Sequence, residues 1–522
     1  MKLKLFMLGA LAALAVAACT KDNAPAGTTP NGGDGDASGL RSYLKVDFVM
    51  PGNVATRADG AVFEAGSADE NQVDNGVLFF FDGTTQVADP FELSKDTKWT
   101  AETAGTDVNI EKKSGVIVVL ENPLKNPTSV VAVLNATMSD LGLSKSSTLD
   151  EIKAVVADFA TDKTAAGKFV MSSSAYTGAE NDVAAKIEEV FKTREEAKAN
   201  ASVKIPVERV VAKVDVKEKE DGATMAGNTV TIDGTEATVT ATIDGWWFDN
   251  AASSSKLLKD ITGLEAADND AANFRSYWAK PVPGTLKHGA LKDAKTGAQY
   301  VQENVGEAEK DEDGNVTFKN VTQVVVAATL KVDNKAVALV KYLGTYYTEE
   351  GFATKAINIE AQTYYTKAEG ETTTYTTVGE NDLKVTFTDK VPSGITLKSY
   401  EAYAKVEPND PSTKFYVKDA TAEDGFKAVD NPTFGAYVVQ RWQDGQTYYF
   451  VPIKHDADRA GVIRNHVYKL TVNSINGLGT PIPFKDVKEI IPEIPVETET
   501  YISAEIDILA WKIVEQNVDL GK

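Results

Sequence analysis

The sequence predicts an all-β protein with two β-sandwich domains, a few short helices and a separate strand at the carboxyl terminus. Three observations point there. Short β-branched and aromatic runs recur along the chain, bounded by Gly, Pro, Asn or Asp. Helical periodicity is confined to two segments. The last apolar segment alternates with period two and follows a proline-bearing spacer, so it is set apart from the body. With 522 residues, 43% of them hydrophobic and 25% charged, the chain has ordinary globular composition. At ~150 residues per domain it is about three domain-lengths long.

The elements follow in order. Lys2 and Lys4 precede an apolar run, Leu5 to Ala18, which is too short to span a bilayer stably and reads as an export signal. It ends in Val16-Ala17-Ala18-Cys19, which resembles the bacterial lipobox, where the cysteine thiol takes diacylglycerol. The signal therefore covers 1–19. Thr20 to Ser38 is rich in Gly, Asp, Asn, Pro and Thr and forms a solvated tether. From Tyr43 to Met50, Leu44, Val46, Phe48 and Met50 share one face while Lys45 and Asp47 share the other, as in a half-buried strand. Pro51-Gly52-Asn53 ends it, and Val54 to Gly60, with Arg57 and Ala58, is small and polar enough to be cleavable.

Val77–Phe81, Val116–Leu120 and Val130–Leu134 read as strands. Thr148 and Glu151 form a capping box opening a helix through Leu149, Ile152, Val155, Val156 and Phe159. A second helical stretch is expected from Asp182 to about Ala199. Val203–Val216 returns to alternation and closes a first domain, 58–216. Lys217–Gly227 is a charged linker. From 228 to 500, strands recur at 230–232, 237–243, 321–332, 336–343, 382–387, 399–406, 436–442, 448–453 and 467–475, a sandwich-like spacing.

Composition excludes several function classes. Acidic residues exceed basic ones, 76 to 54, for a net charge of −22. That argues against nucleic acid and against an anionic membrane surface as partners of the folded body. Three histidines and one cysteine leave no material for Cys-rich zinc sites, iron–sulfur clusters or disulfide scaffolds. No GxSxG, P-loop, GxGxxG or HExxH motif is present, so no enzyme, cofactor or metal site is expected. His455-Asp456 and Arg464-Asn465-His466 read as structural, and Asp311–Asn315 as a hairpin turn rather than a calcium loop. Trp246, Trp247 and Trp278 could form a sugar-stacking platform but read as packing aromatics. In the pairs Tyr346-Tyr347, Tyr364-Tyr365 and Tyr448-Tyr449, alternation along a strand would expose one ring each.

The terminal segment, 501–522, is the unusual element. Pro492 and Pro495 stiffen the approach. Ile502, Ala504, Ile506 and Ile508 then share one face, and Leu509, Trp511 and Ile513 load the other. Such a strand needs a sheet to join; left free it would be an aggregating edge.

Together these features resemble the type V pilins (fimbrillins) of Bacteroidales, in particular shaft subunits of the short fimbriae of Porphyromonas. The resemblance is carried by Val16–Cys19, Ser42–Pro51 with Arg57-Ala58, Val207–Lys213, Val462–Tyr468, Ser474–Gly479 and Tyr501–Lys512. It implies transthyretin-like sandwiches and a structural role without cofactor. It implies a precursor lipidated at Cys19, with diacylglycerol and palmitate, in the outer membrane. An arginine-specific protease would cut between Arg57 and Ala58, so that 20–57 is a propeptide. Leu44, Val46, Phe48 and Met50 would leave with it. The terminal strand of another copy, Ile502 to Ile513, would fill the vacated groove, building a head-to-tail extracellular fimbrium with anchor and tip subunits. Cleavage would remove 6 basic and 4 acidic residues and leave a net charge of −24. The stretch before the last strand, about Pro481 to Thr500, is shorter than in the Porphyromonas shaft protein. The competing readings are a tip or accessory adhesin of the same superfamily and a surface glycan-binding lipoprotein using the three tryptophans.

Overall fold

The structure, a computed structural model, describes residues 41–520 with the exception of 52–63, 65, 98–102, 105–109, 122, 124, 177–182, 200–202, 220–228, 265–267, 271–274, 281–284, 290–292, 308, 311–315, 318–319, 457–458 and 485–511. Strands dominate, as the sequence predicts.

The first sheet is a path of strands that curls. Its main members are β1 (Arg41–Pro51), β2 (Gly76–Asp82), β3 (Thr85–Leu93), β4 (Ile110–Glu121), β5 (Ser129–Leu134), β6 (Met171–Ser173) and β7 (Val203–Arg209). They pair in the order β3-β2-β5-β6-β7-β1-β4. All of these pairings are antiparallel except β1 with β7. β3 also approaches β4, which brings the two ends of the path together. Val77–Phe81 are all buried, as are Val130–Leu134, so both runs form core strands without a solvent face.

Three short helices decorate this half: α1 (Ala68–Asn71), α2 (Leu149–Lys153) and α3 (Arg194–Ala199). The Thr148/Glu151 capping box forms in both directions. The helix it opens is nevertheless shorter than the periodicity suggests, because Val156-Ala157 pairs with Ser255-Lys256 instead of adding a turn. The expected helix at 182–199 is also cut down. Ala185-Lys186 pairs with β5, while Val183 and Ile187 enter the core, and only Arg194–Ala199 is helical. Tertiary burial overrode a weak periodic signal.

The run Val203–Val216 is not one strand of one sheet. It breaks at Val210, and β8 (Val211–Glu218) joins a different sheet. β9 (Thr229–Ile232) and β10 (Thr235–Asp249) form a hairpin through Asp233-Gly234, both at positive φ (52° and 80°), as a type I′ turn requires. Next come β11 (Gln299–Gln302), β12 (Gln323–Val332), β13 (Leu339–Tyr342), β14 (Thr345–Thr348), β15 (Leu383–Thr388), β16 (Glu401–Pro408), β17 (Ala436–Trp442), β18 (Gln446–Pro452), β19 (His466–Ile475) and β20 (Lys512–Leu520). The large second sheet runs β15-β16-β17-β13-β14-β9-β10-β12-β18, and a smaller one runs β11-β8-β19-β20. Helix α4 (Glu349–Glu360), absent from the sequence expectation, starts at an N-cap Thr348 and buries Phe352, Ala356 and Ile357. Glu309-Lys310 pairs with Val316-Thr317, so the strands flanking 311–315 form a hairpin.

Candidate functional site: the slot of the first strand

β1 is an interior strand of its sheet. It runs parallel to β7, with Val46 opposite Val203 and Phe48 opposite Ile205. On its other side it runs antiparallel to β4, with Leu44 opposite Val118 and Val46 opposite Val116. Leu44 and Val46 are both fully buried. They lie in one core with Val116, Val118 and Leu120 of β4 and with Val203, Ile205 and Val207 of β7. At ~1.5–3 kcal/mol per buried aliphatic side chain, these two residues contribute about 3–6 kcal/mol before ordering costs. Withdrawing β1 would leave an apolar slot and two unpaired edges, on β4 and β7. Phe48 and Met50 share the strand's backbone register, opposite Ser114 and Lys112.

Of the other residues singled out in the sequence, Cys19, Arg57 and Ala58 lie outside the described residues, as do Ile502, Ala504, Ile506, Ile508, Leu509 and Trp511. Ile513 lies in β20, which runs parallel to β19 at the end of the smaller sheet, with His466 opposite Lys512 and Ile475 opposite Leu520.

The slot's β7 wall is anchored at its carboxyl end. After Arg209 the chain bends at Val210, whose N–H donates to the Val170 carbonyl at 3.0 Å. Then β8 pairs in parallel with β19. Around the bend lies a buried ionic cluster. The fully buried Arg464 donates from Nε to Glu303 at 3.3 Å and from Nη1 to the Leu257 carbonyl at 2.9 Å. Lys259 Nζ lies 3.8 Å from Glu208 and 3.9 Å from Glu303, and donates to the Ser276 carbonyl at 3.0 Å. Tyr176 donates its hydroxyl to Glu208. Arg209 donates from Nε to the Glu70 carbonyl and from Nη1 to Asn465 Oδ1, both at 3.1 Å. Glu70 accepts from Lys213 at 2.8 Å and from the Tyr300 hydroxyl.

The charges follow from these partners. Burial pushes the Glu208 carboxyl above its ordinary range, against the pull of Lys259 and Arg464. Burial opposes the charge of Arg464, but Glu303 and Glu208 more than offset it and raise its pKa further. Burial also opposes the charge of Glu70, yet hydrogen bonds from Lys213, Tyr300 and the Ser67 backbone hold its carboxyl below the usual range. Arg464→Met should leave Glu303 as a poorly compensated buried charge. An expected loss of ~3–5 kcal/mol in urea unfolding would bear this out; a change under about 1 kcal/mol would show the cluster to be energetically idle.

The sequence reading missed this cluster, although it left a trace: Glu208-Arg209 between Val207 and Val210, Lys259 after Leu257-Leu258, and Arg464 after Val462-Ile463 are charges set inside apolar runs. It did single out the segments Val207–Lys213 and Val462–Tyr468, and the structure brings those two together.

The aromatic candidates are packing elements. Trp246, Trp247 and Trp278 are buried, and the Arg459 guanidinium sits 4.6 Å from the Trp278 ring centroid. No sugar could stack on them. Tyr448 and Tyr449 are both buried, which corrects the expectation of one exposed ring; Tyr364 is buried and Tyr365 half-buried. His455 Nδ1 is 3.1 Å from the Tyr468 hydroxyl, and His466 Nδ1–H donates to the Arg464 carbonyl at 2.8 Å, so both imidazoles are parts of the packed core. No cluster of metal-ligating side chains occurs among the described residues.

Residues 440–517 match the family model described as the major fimbrial subunit protein type IV, fimbrillin, C-terminal. The match spans β18, β19 and most of β20, so the chain is fimbrillin-like over that segment. No curated protein matches the chain. Two crystal structures from Parabacteroides distasonis ATCC 8503, each described as a "putative cell adhesion protein", are similar to it. One is 14% identical, covers 59% of this chain and 78% of its own, and has a TM-score of 0.32. The other is 12% identical, covers 92% of this chain and 100% of its own, also at 0.32.

Proposed function

We propose that the chain is a structural subunit of a type V fimbrium that polymerises by protease-triggered donor-strand exchange. One observation carries the reading. The first described strand, which a single cut after Arg57 would separate from the rest of the chain, is an interior strand whose Leu44 and Val46 fill the core. Removal of that strand leaves a slot that main-chain hydrogen bonds and alternate side-chain pockets can accept from another copy. The donor and acceptor surfaces differ, so the contact is heterologous and extends head to tail. The fimbrillin match at 440–517 supports the same direction.

In this reading the precursor is lipidated at Cys19 and held at the outer membrane, an arginine-specific protease releases residues up to Arg57, and anchor and tip subunits terminate the filament. The donor is the carboxyl-terminal segment. Among the described residues β20 pairs with β19 and ends the smaller sheet. An edge strand with one partner is released at lower cost than an interior one. The glycan-binding alternative loses its platform with the burial of the three indoles.

Arg57→Ala should leave lipid-bound or soluble monomers. Electron microscopy of cells and of protease-treated protein would show few or no filaments; abundant filaments from this variant would overturn the proteolytic trigger.

A further inference from the structure

Arginine and lysine are distributed differently in this chain. It has 8 arginines against 46 lysines. Lys259 is buried in the junction cluster, but other lysines stand exposed, as Lys95 (75% exposed), Lys125 (66%) and Lys186 (73%) illustrate. Four arginines of the body are tied down. Arg209 and Arg464 are buried in the junction cluster. Arg441, on β17, donates to Glu349 at 2.7 Å and to the Pro483 carbonyl at 2.8 Å, with its guanidinium 4.5 Å from the Phe387 ring. Arg459 bridges Asp456 and Asp268 and lies over Trp278. Arg41 starts β1, where its backbone is opposite Glu121.

A protease must draw several residues of extended chain into its cleft. A peptide bond in a paired strand is cleaved only after local opening, and an arginine that is buried or doubly hydrogen-bonded cannot enter a specificity pocket while those bonds last. We propose that the folded body is resistant to arginine-specific proteolysis while remaining open to attack at lysine, because Arg209, Arg441, Arg459 and Arg464 are sequestered. The activating protease can then act at high dose on the precursor without destroying the subunit. This rests on the proposed trigger at Arg57 but concerns different residues. Arg194 is exposed in the first turn of α3, and the backbone of Arg275 pairs with that of Asp270. Any secondary cut falls at Arg194 first.

The test is a time course on the purified full chain and on Arg57→Ala, with an arginine-specific and, separately, a lysine-specific endoprotease, read by intact mass and amino-terminal sequencing. Urea-unfolded chain serves as the control in which every arginine should be cut. In the native chain, cleavage at 209, 441, 459 and 464 should be at least ~100-fold slower than in the unfolded control, while the lysine protease fragments the body. Arg57→Ala should stay intact past 58 under the arginine protease. Rapid cuts at any of the four sequestered arginines overturn the inference even where Arg57 is also cut. An intact body with no cut at Arg57 sustains it while removing the proposed trigger. A body equally resistant to both proteases overturns it too, since protection would then owe nothing to where arginine is placed.

Discussion

A chain carrying Leu44→Asp and Val46→Asp on the Arg57→Ala background should form filaments without any cleavage. Both positions are fully buried between β4 and β7. Each substitution removes the transfer free energy of an aliphatic group, ~2–5 kcal/mol with its cavity for leucine, and would place a carboxylate among the buried aliphatic side chains of β4 and β7, at a cost of several kcal/mol more. Against a domain stability of ~5–15 kcal/mol that penalty decides the outcome. β1 is terminal among the described strands, so leaving the sheet relieves the buried charge while the remaining strands stay paired except along the β4 and β7 edges of the slot. The slot is then empty although the chain is whole. Filament mass by light scattering and microscopy should approach that of cleaved wild-type protein. Amide exchange along 203–209 supplies the control. Fast exchange there together with a monomeric sample would mean that an empty slot does not recruit a neighbour, and the proposed assembly step would fail.

Removing residues 501–522 should abolish filament growth while leaving the body folded. The deletion takes away β20, an edge strand with β19 as its partner, and leaves the slot and the junction cluster untouched. The truncated, cleaved subunit should still accept a neighbour's strand without offering one. Mixed with intact cleaved subunits it should act as a chain stopper. At one truncated chain per ten intact ones, the mean filament should fall to roughly ten subunits, as expected of a heterologous head-to-tail contact. Unchanged lengths in such mixtures would rule out the terminal segment as the donor.

Much of the fold is legible in local pattern. Val77–Phe81 and Val130–Leu134 announce themselves as buried strands, and Thr148/Glu151 as a cap, because the determinants lie within a few residues of one another. Helix α4 escaped notice because its cap, Thr348, ends a tyrosine-bearing strand and the helix that follows has a weak apolar stripe. The break at Val210 is invisible in a run that alternates smoothly on either side; it is set by which partners the two halves find, β6 and β1 for one, β11 and β19 for the other. The same holds for the slot. The alternating face of Leu44 to Met50 is readable, but its insertion between β4 and β7 joins residues about 70 and 160 positions apart in the chain, and no local signal encodes such pairing. Of the terminal candidates, Ile513 alone falls within a described strand. The buried ionic cluster was legible only as charges interrupting apolar runs.

The bend at Val210 has a mechanical meaning. β7, which forms one wall of the slot, continues through Val210 directly into β8, which enters the smaller sheet beside β19. A pull applied to whatever occupies the slot is handed through hydrogen bonds to β7, and from there travels along peptide bonds into the second half of the molecule. Arg209, Arg464 and Glu303 brace the corner where the direction changes. In a fibre built by the proposed strand exchange, tension would therefore cross the middle of each subunit by backbone rather than by surface contact.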